Sequence, residues 1–181
     1  MFKKSKKFHI NKIASQLYIS IITQARQECF YKDLGVADTN DGRFDMILLH
    51  SFLLFRRLKN TKHDLSREIG QAVFDLMFDD LSNNLREMGI GDIGVSHRIK
   101  GMTKAFYGRV KAYDHGLDNH SPMNLEQALI RNLYRKTSPT TDQVNCLCNY
   151  VRQENESLRS QLTTNILDGK LVFKTPKIQG N

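Results

Sequence analysis

The sequence predicts an all-α fold, a single globular bundle of about six helices, and three observations carry that prediction. Apolar residues recur at steps of three and four along nearly the whole chain, which is helical periodicity. Only 3 prolines and 11 glycines punctuate 181 residues, too few for a loop-rich β fold. A hydrophobic content of 40% with 25% charged residues is that of a globular chain with a core of ordinary size. The expected organisation is a basic flexible tail over residues 1–10, a helical domain over 11–173 and a disordered tail over 174–181. A short strand-like stub at Leu171-Val172-Phe173 is the one expected departure from helix.

The elements follow in order. Ile13, Leu17, Ile21, Ala25 and Cys29 form one stripe and predict a helix over about 11–30. A loop over Tyr31 to Asp41 leads to Asp38-Thr39-Asn40-Asp41-Gly42, read as turn and N-cap chemistry. Phe44, Ile47, Leu48, Phe52, Phe55 and Leu58 give the second helix, about 42–59, a wide apolar face suited to several neighbours. The third runs over about 64–88, with a break conceivable at Asp79-Asp80. Ser96 is the expected cap of the fourth, which turns Ile99, Met102, Phe106, Val110, Tyr113 and Leu117 inward. Ser121-Pro122 and Ser138-Pro139 each pair a cap residue with proline at the first helical position. They open the fifth and sixth helices, the sixth ending at Gly169.

Leu85 to Val95 departs most from a generic helical domain. Gly89, Gly91 and Gly94 fall within six residues there, interleaved with Arg86, Glu87 and Asp92. Glycine costs about 1 kcal/mol relative to alanine inside a helix, so this spacing predicts a helix end and a shaped loop. The stretch fits G-x-G-x-x-G, and Asp114 lies roughly where a ribose-binding acid is wanted. A dinucleotide site needs a buried strand before the first glycine. Leu65, Ile69, Ala72, Val73, Leu76, Met77, Leu81, Leu85 and Met88 recur at the steps of three and four of a helix instead, so no nucleotide cofactor is expected.

The formal net charge is +8, from 27 Lys and Arg against 19 Asp and Glu. Lys3, Lys4, Lys6 and Lys7 precede any acid, the first of which is Glu28. That terminus suits an anionic membrane surface or RNA, or is simply solvated. No apolar h-region follows it, and the helical pattern starts too early to leave a presequence. The expected location is therefore the bacterial cytoplasm, peripheral at the inner membrane, with the mitochondrial matrix or inner membrane as the alternative. The 3 cysteines, Cys29, Cys146 and Cys148, suit a reducing compartment.

Catalytic and metal constellations are missing from the sequence. The six histidines lack the i, i+4 pairing of a helical zinc site, and His50, among apolar residues, reads as a hydrogen-bonded core residue. Polar residues instead gather near loops and helix ends: Asp38, Asp41, Arg43 and Asp45, then Arg56 and Arg57, then Arg86, Glu87 and Asp92, then Arg98, Tyr107 and Arg109. Two readings stay open. They are salt bridges and caps that pin helix termini, or they form a protein-binding face rich in arginine and tyrosine.

Several stretches together resemble the ubiquinol–cytochrome c chaperone family. They are Ala25-Arg26 with Phe30-Tyr31, Gly35-Val36, Asp38-Thr39 with Asp41-Gly42-Arg43-Phe44, Leu49-His50, Arg57-Leu58, Asp80, Leu85 to Gly89 with Gly91-Asp92, Gly94-Val95, Ala105 to Arg109 and Ala112-Tyr113. A looser likeness reaches Phe173. The resemblance implies a non-enzymatic, cofactor-free assembly factor for respiratory complex III. It would bind newly made cytochrome b, act with a small co-chaperone or the ribosome, touch the membrane peripherally and bind no specific nucleic acid. The partner-binding candidates are Asp38, Asp41, Arg43, Arg86, Glu87, Gly89, Gly91, Asp92, Gly94, Arg98, Tyr107 and Arg109, and the membrane candidates are Lys3, Lys4, Lys6 and Lys7. Cys29 and Ala37 stand where many relatives are expected to carry proline. A basic RNA- or ribosome-binding helical protein is the alternative.

Overall fold

The computed structural model describes residues 2–118 and 122–176. Among them, six long helices form the bundle: α1 (Phe2–Ala25), α3 (Asn40–Lys59), α4 (Asp64–Glu87), α5 (Asp92–Asp118), α6 (Pro122–Leu133) and α7 (Thr141–Ser160). Two short ones, α2 (Cys29–Lys32) and α8 (Thr163–Leu167), complete it. The all-α expectation holds, and α3 is the hub, packed on α1, α4, α5, α6 and α7. Its wide apolar stripe is the cause. Met46, Leu49, Phe52, Leu53 and Leu54 are all buried in the main core, each worth roughly 1.5–3 kcal/mol.

Cross-links set the helix directions. Lys6 meets Glu68 and Tyr18 meets Asp80, an unchanging offset, so α1 and α4 run parallel. Asn40 at the start of α3 reaches Met88 just past the end of α4, so these two run antiparallel. Arg56, near the end of α3, holds Asp114 and Asp118 at the end of α5. One end of the bundle therefore collects the start of α3 and the α4–α5 turn. A second apolar cluster of Tyr18, Phe44, Leu48, Met77, Phe78, Leu81 and Phe106 fills the space beneath the α4–α5 hairpin.

Several boundaries differ from expectation for local reasons. Helix α1 begins at Phe2 rather than after a flexible tail, and Ile10 is already buried against the core. Cys29–Lys32 adds one helical turn inside the expected loop. Helix α4 passes Asp79-Asp80 unbroken, because Tyr18 takes up Asp80 at 2.9 Å. Helix α5 starts at Asp92, so Ser96 is no cap and Gly94 lies in the first turn. Thr140, not Ser138, caps α7 through a reciprocal box with Gln143. The chain then breaks at Gln161 before α8, because the Gln161 amide donates to the Val172 carbonyl at 2.6 Å and accepts from its N–H at 3.2 Å. Leu171 to Phe173 forms no strand. Lys174, expected in a disordered tail, is held by both backbone groups, its N–H to Glu154 and its carbonyl to Gln24. The Ser121 cap and the tail beyond Pro176 lie outside the described residues.

Candidate functional site

The glycine segment ends α4 by backbone geometry. Gly89 has φ +81°, the left-handed conformation that favours glycine. Its N–H donates to Arg86 and that of Ile90 to Leu85, the two bonds of a Schellman motif. A helix, not a strand, runs into Gly89, and Asp114 is engaged by Arg56 at 2.6 Å.

Most of the predicted polar residues meet at this end of the bundle. Thr39 caps α3 by accepting from the Gly42 N–H at 3.2 Å. Arg43 donates to Asp38 at 2.7 Å and Lys136 to Asp41 at 2.6 Å, all four side chains being at least half exposed. Each partner holds its carboxylate below the ordinary value, the hydrogen bond being the main cause. Across the Asn40–Met88 contact, Arg86 donates to Asp92 at 3.1 Å, and it also reaches Asn83. Glu87, Gly89 and Gly91 are exposed beside it. Met88 and Ile93 add apolar surface, and Ile93 is 90% exposed.

Three other candidates lie elsewhere. Arg98 and Tyr107 are exposed along α5, away from that turn, with Tyr107 packed against Phe74 and Phe106. Arg109 is a correction, since its side chain is only 9% exposed and lies inside the fold. Its Nη2 sits 2.9 Å from Asp45 Oδ1, and Arg135 donates to Asp45 Oδ2 at 2.6 Å. The Arg109 contact is an ion pair without hydrogen-bond alignment, and among the described residues neither Asp45 Oδ1 nor Arg109 Nη1 finds a hydrogen-bond partner. Burial pushes the Asp45 carboxyl above its ordinary value despite both guanidiniums. Arg56 and Arg57 also serve the fold. Arg57 donates to the carbonyls of Leu158 and Gln161 at the end of α7, and Arg56 ties α3 to α5 and to Asn155. Of the membrane candidates, Lys6 is exposed and paired with Glu68, Lys7 is exposed, and the side chains of Lys3 and Lys4 lie outside those described.

A second polar group was not assembled from the sequence. The Met46 carbonyl can only accept, so His50 Nδ1, 2.8 Å away, carries the proton and Nε2 accepts from the Tyr150 hydroxyl at 2.8 Å. Gln24 donates to the same hydroxyl at 2.9 Å and to the Lys174 carbonyl at 2.8 Å. Phe30 and Phe173 pack edge-on to His50. Burial lowers the imidazole to about 4 and raises Glu154, which is fully buried, to about 7. One signal was available. Glu154 falls on the stripe of Leu147, Val151 and Leu158, where an apolar residue belongs. The core reading of His50 agrees with its surroundings. The network ties α1, α3, α7 and the C-terminal segment together.

The family model for the ubiquinol-cytochrome C chaperone matches residues 32–173. The ubiquinol-cytochrome-c reductase complex assembly factor 1 of Xenopus laevis is 23% identical over 97% of this chain and 84% of its own length. The corresponding factor of Mus musculus is 26% identical over 96% of this chain, which spans 60% of that protein. The crystal structure of the Cbp3 homolog from Brucella abortus superposes with a TM-score of 0.84 at 32% identity, covering 98% of this chain and 96% of that one.

Proposed function

The chain belongs to the ubiquinol-cytochrome C chaperone family, and from that premise we propose that it is a non-enzymatic assembly factor for the ubiquinol–cytochrome c reductase complex, with newly made cytochrome b as client. The observation that carries this reading is the family match over residues 32–173, together with a shared fold at 32% identity. The exposed end of the bundle, with Asp38, Asp41, Arg43, Arg86, Glu87, Gly89, Gly91 and Asp92, is the partner face in this proposal. It mixes exposed charges with the apolar Met88 and Ile93, the composition of a protein-binding rim around a small apolar centre. No helix of the described residues is long and apolar enough to cross a membrane, which fits a factor that works on a membrane client from the bilayer surface. Its expected place is the bacterial inner membrane, or the mitochondrial inner membrane in the alternative.

Affinity capture from detergent extracts tests the proposal. The tagged protein should retain cytochrome b at raised salt, and its loss from cells should lower the assembled reductase. Capture of ribosomal RNA without cytochrome b, lost at moderate salt, would replace this reading with the nucleic-acid one.

A further inference from the structure

We propose that the outward face of α5, which starts beside the partner face at Ile93 and runs away from it along the helix, docks this protein on an anionic phospholipid bilayer. At 100° per residue, Ile93, Lys100, Lys104, Tyr107 and Lys111 fall within a sector of about 60°, and all five are exposed. The row from Ile93 to Lys111 is about 27 Å long at 1.5 Å per residue and open to solvent.

Its charge is one-sided. From Ile93 to Tyr113 there is no Asp or Glu, while Lys100, Lys104 and Lys111 of the outward sector all fall there. The acids of α5 lie at its two ends, where Asp92 is held by Arg86 and Asp114 and Asp118 by Arg56. Among the described residues, no salt bridge takes up Lys100, Lys104 or Lys111. The face thus presents uncompensated lysines to an anionic partner.

The apolar members select the bilayer among anionic partners. Ile93 is 90% and Tyr107 60% exposed, and phosphates alone give an isoleucine nothing to bury against. A bilayer serves both kinds of side chain, lysine at the headgroups and isoleucine with tyrosine in the interfacial layer. A Cβ on Gly101 or Gly108, next to the lysines, would meet nothing within 4 Å among the described residues, which lets the helix backbone lie close to a flat surface. The N-terminal lysines are the weaker candidates, since Lys6 is spent on Glu68.

The test uses the full chain and two vesicle types, phosphatidylcholine alone and phosphatidylcholine mixed with phosphatidylglycerol. The protein should sediment with the anionic vesicles only, and less as salt rises. The triple variant Lys100→Gln, Lys104→Gln, Lys111→Gln should lose about 100-fold in partitioning at an unchanged melting temperature, and Ile93→Ser should lose several-fold. Lys6→Gln with Lys7→Gln should change little. The chain has no tryptophan, so Tyr107→Trp introduces a single indole reporter whose emission should shift to the blue on anionic vesicles. Undiminished sedimentation of the triple variant, a loss confined to the Lys6 and Lys7 variant, or an unshifted indole emission would each overturn the proposal. So would binding to heparin or single-stranded RNA as tight as to vesicles and indifferent to Ile93→Ser. No client is present in these mixtures, so the outcome does not depend on the cytochrome b reading.

Discussion

Asp45 with Arg109 and Arg135, and Arg86 with Asp92, are two groups of the same chemistry in neighbouring parts of one molecule. They differ in depth. The Asp45 side chain is 3% exposed and Arg109 9%, whereas Arg86 is 51% and Asp92 88% exposed. A buried charge is costly unless its partner stays in place, and an exposed pair contributes little to stability. The first group therefore joins α3, α5 and the segment after α6, while the second leaves its charges open to a partner. Residue type alone gives both groups one meaning, and burial separates them.

The sharpest way to break this comparison is to remove the shared acid. Asp45→Asn should destabilise the protein by about 3–5 kcal/mol, because Arg109 is then left buried without a counter-charge. Urea unfolding measures it. A loss below about 1 kcal/mol would mean that Arg109 turns outward to water, and the two groups would no longer differ in kind.

The interior also holds two titrating groups that oppose each other. His50 is lowered from 6.5 to about 4 by burial, so between these values the unfolded chain binds the extra proton and stability rises with pH. Glu154 is raised from 4.5 to about 7, so over that window the folded chain holds the extra proton and stability falls with pH. Each is worth about 3 kcal/mol across its range, and the two nearly cancel in the wild type between about pH 4.5 and 6.5. Glu154→Gln should leave a stability that rises with pH, and His50→Gln one that falls. Unfolding free energies taken at half-unit steps decide it, and parallel profiles for the two variants would refute the assignment.

Much of this architecture could be read in the sequence. Helices α3, α4 and α5 follow their apolar spacing, and the cap chemistry before α3 resides in Thr39, inside the stretch predicted for it. What failed depends on contacts between distant parts of the chain. Leu158, Leu162 and Ile166 keep helical spacing straight through a break, because it is the binding of Gln161 to Val172 that turns the chain there, leaving Leu162 67% exposed. Ser138 and Thr140 are both plausible caps, and only the matching Gln143 chooses Thr140. Arg86 and Asp92 flank the exposed helix end that the glycine spacing predicts. The depth of Arg109 was not legible, because Asp45 and Arg135 reach it from other elements.

Glycines repeat the contrast at smaller energies. A Cβ on Gly42 would meet the Ala37 carbonyl oxygen at 1.9 Å, and one on Gly116 the Leu125 backbone at 2.7 Å, so both positions demand glycine. Gly101 and Gly108 have nothing within 4 Å, and both lie inside the 27-residue α5. Gly101→Ala and Gly108→Ala should each stabilise by up to about 1 kcal/mol, read as a higher melting temperature. Destabilisation by either would show that α5 packs against something its exposed backbone does not reveal.

The smallest expected effect on stability carries the largest consequence for function. Arg86→Ala with Asp92→Ala removes an exposed pair, and such substitutions move stability by less than about 0.5 kcal/mol. Gly89 keeps the helix end, since its φ of +81° and the Schellman bonds use only backbone. The fold, and the α5 face with it, should therefore survive intact. If this end is the partner face, cytochrome b capture and the level of assembled reductase should fall sharply in the double variant while its melting curve overlays the wild type. The charge-reversed pair, Arg86→Asp with Asp92→Arg, sharpens the point, because it restores the ion pair but inverts what a partner meets. Rescue of assembly by that swap would mean that the pair only pins the α4–α5 turn, as the Asp45 group pins the interior. A persistent defect in the swap, with unchanged stability, would place the partner contact at Arg86 and Asp92 themselves.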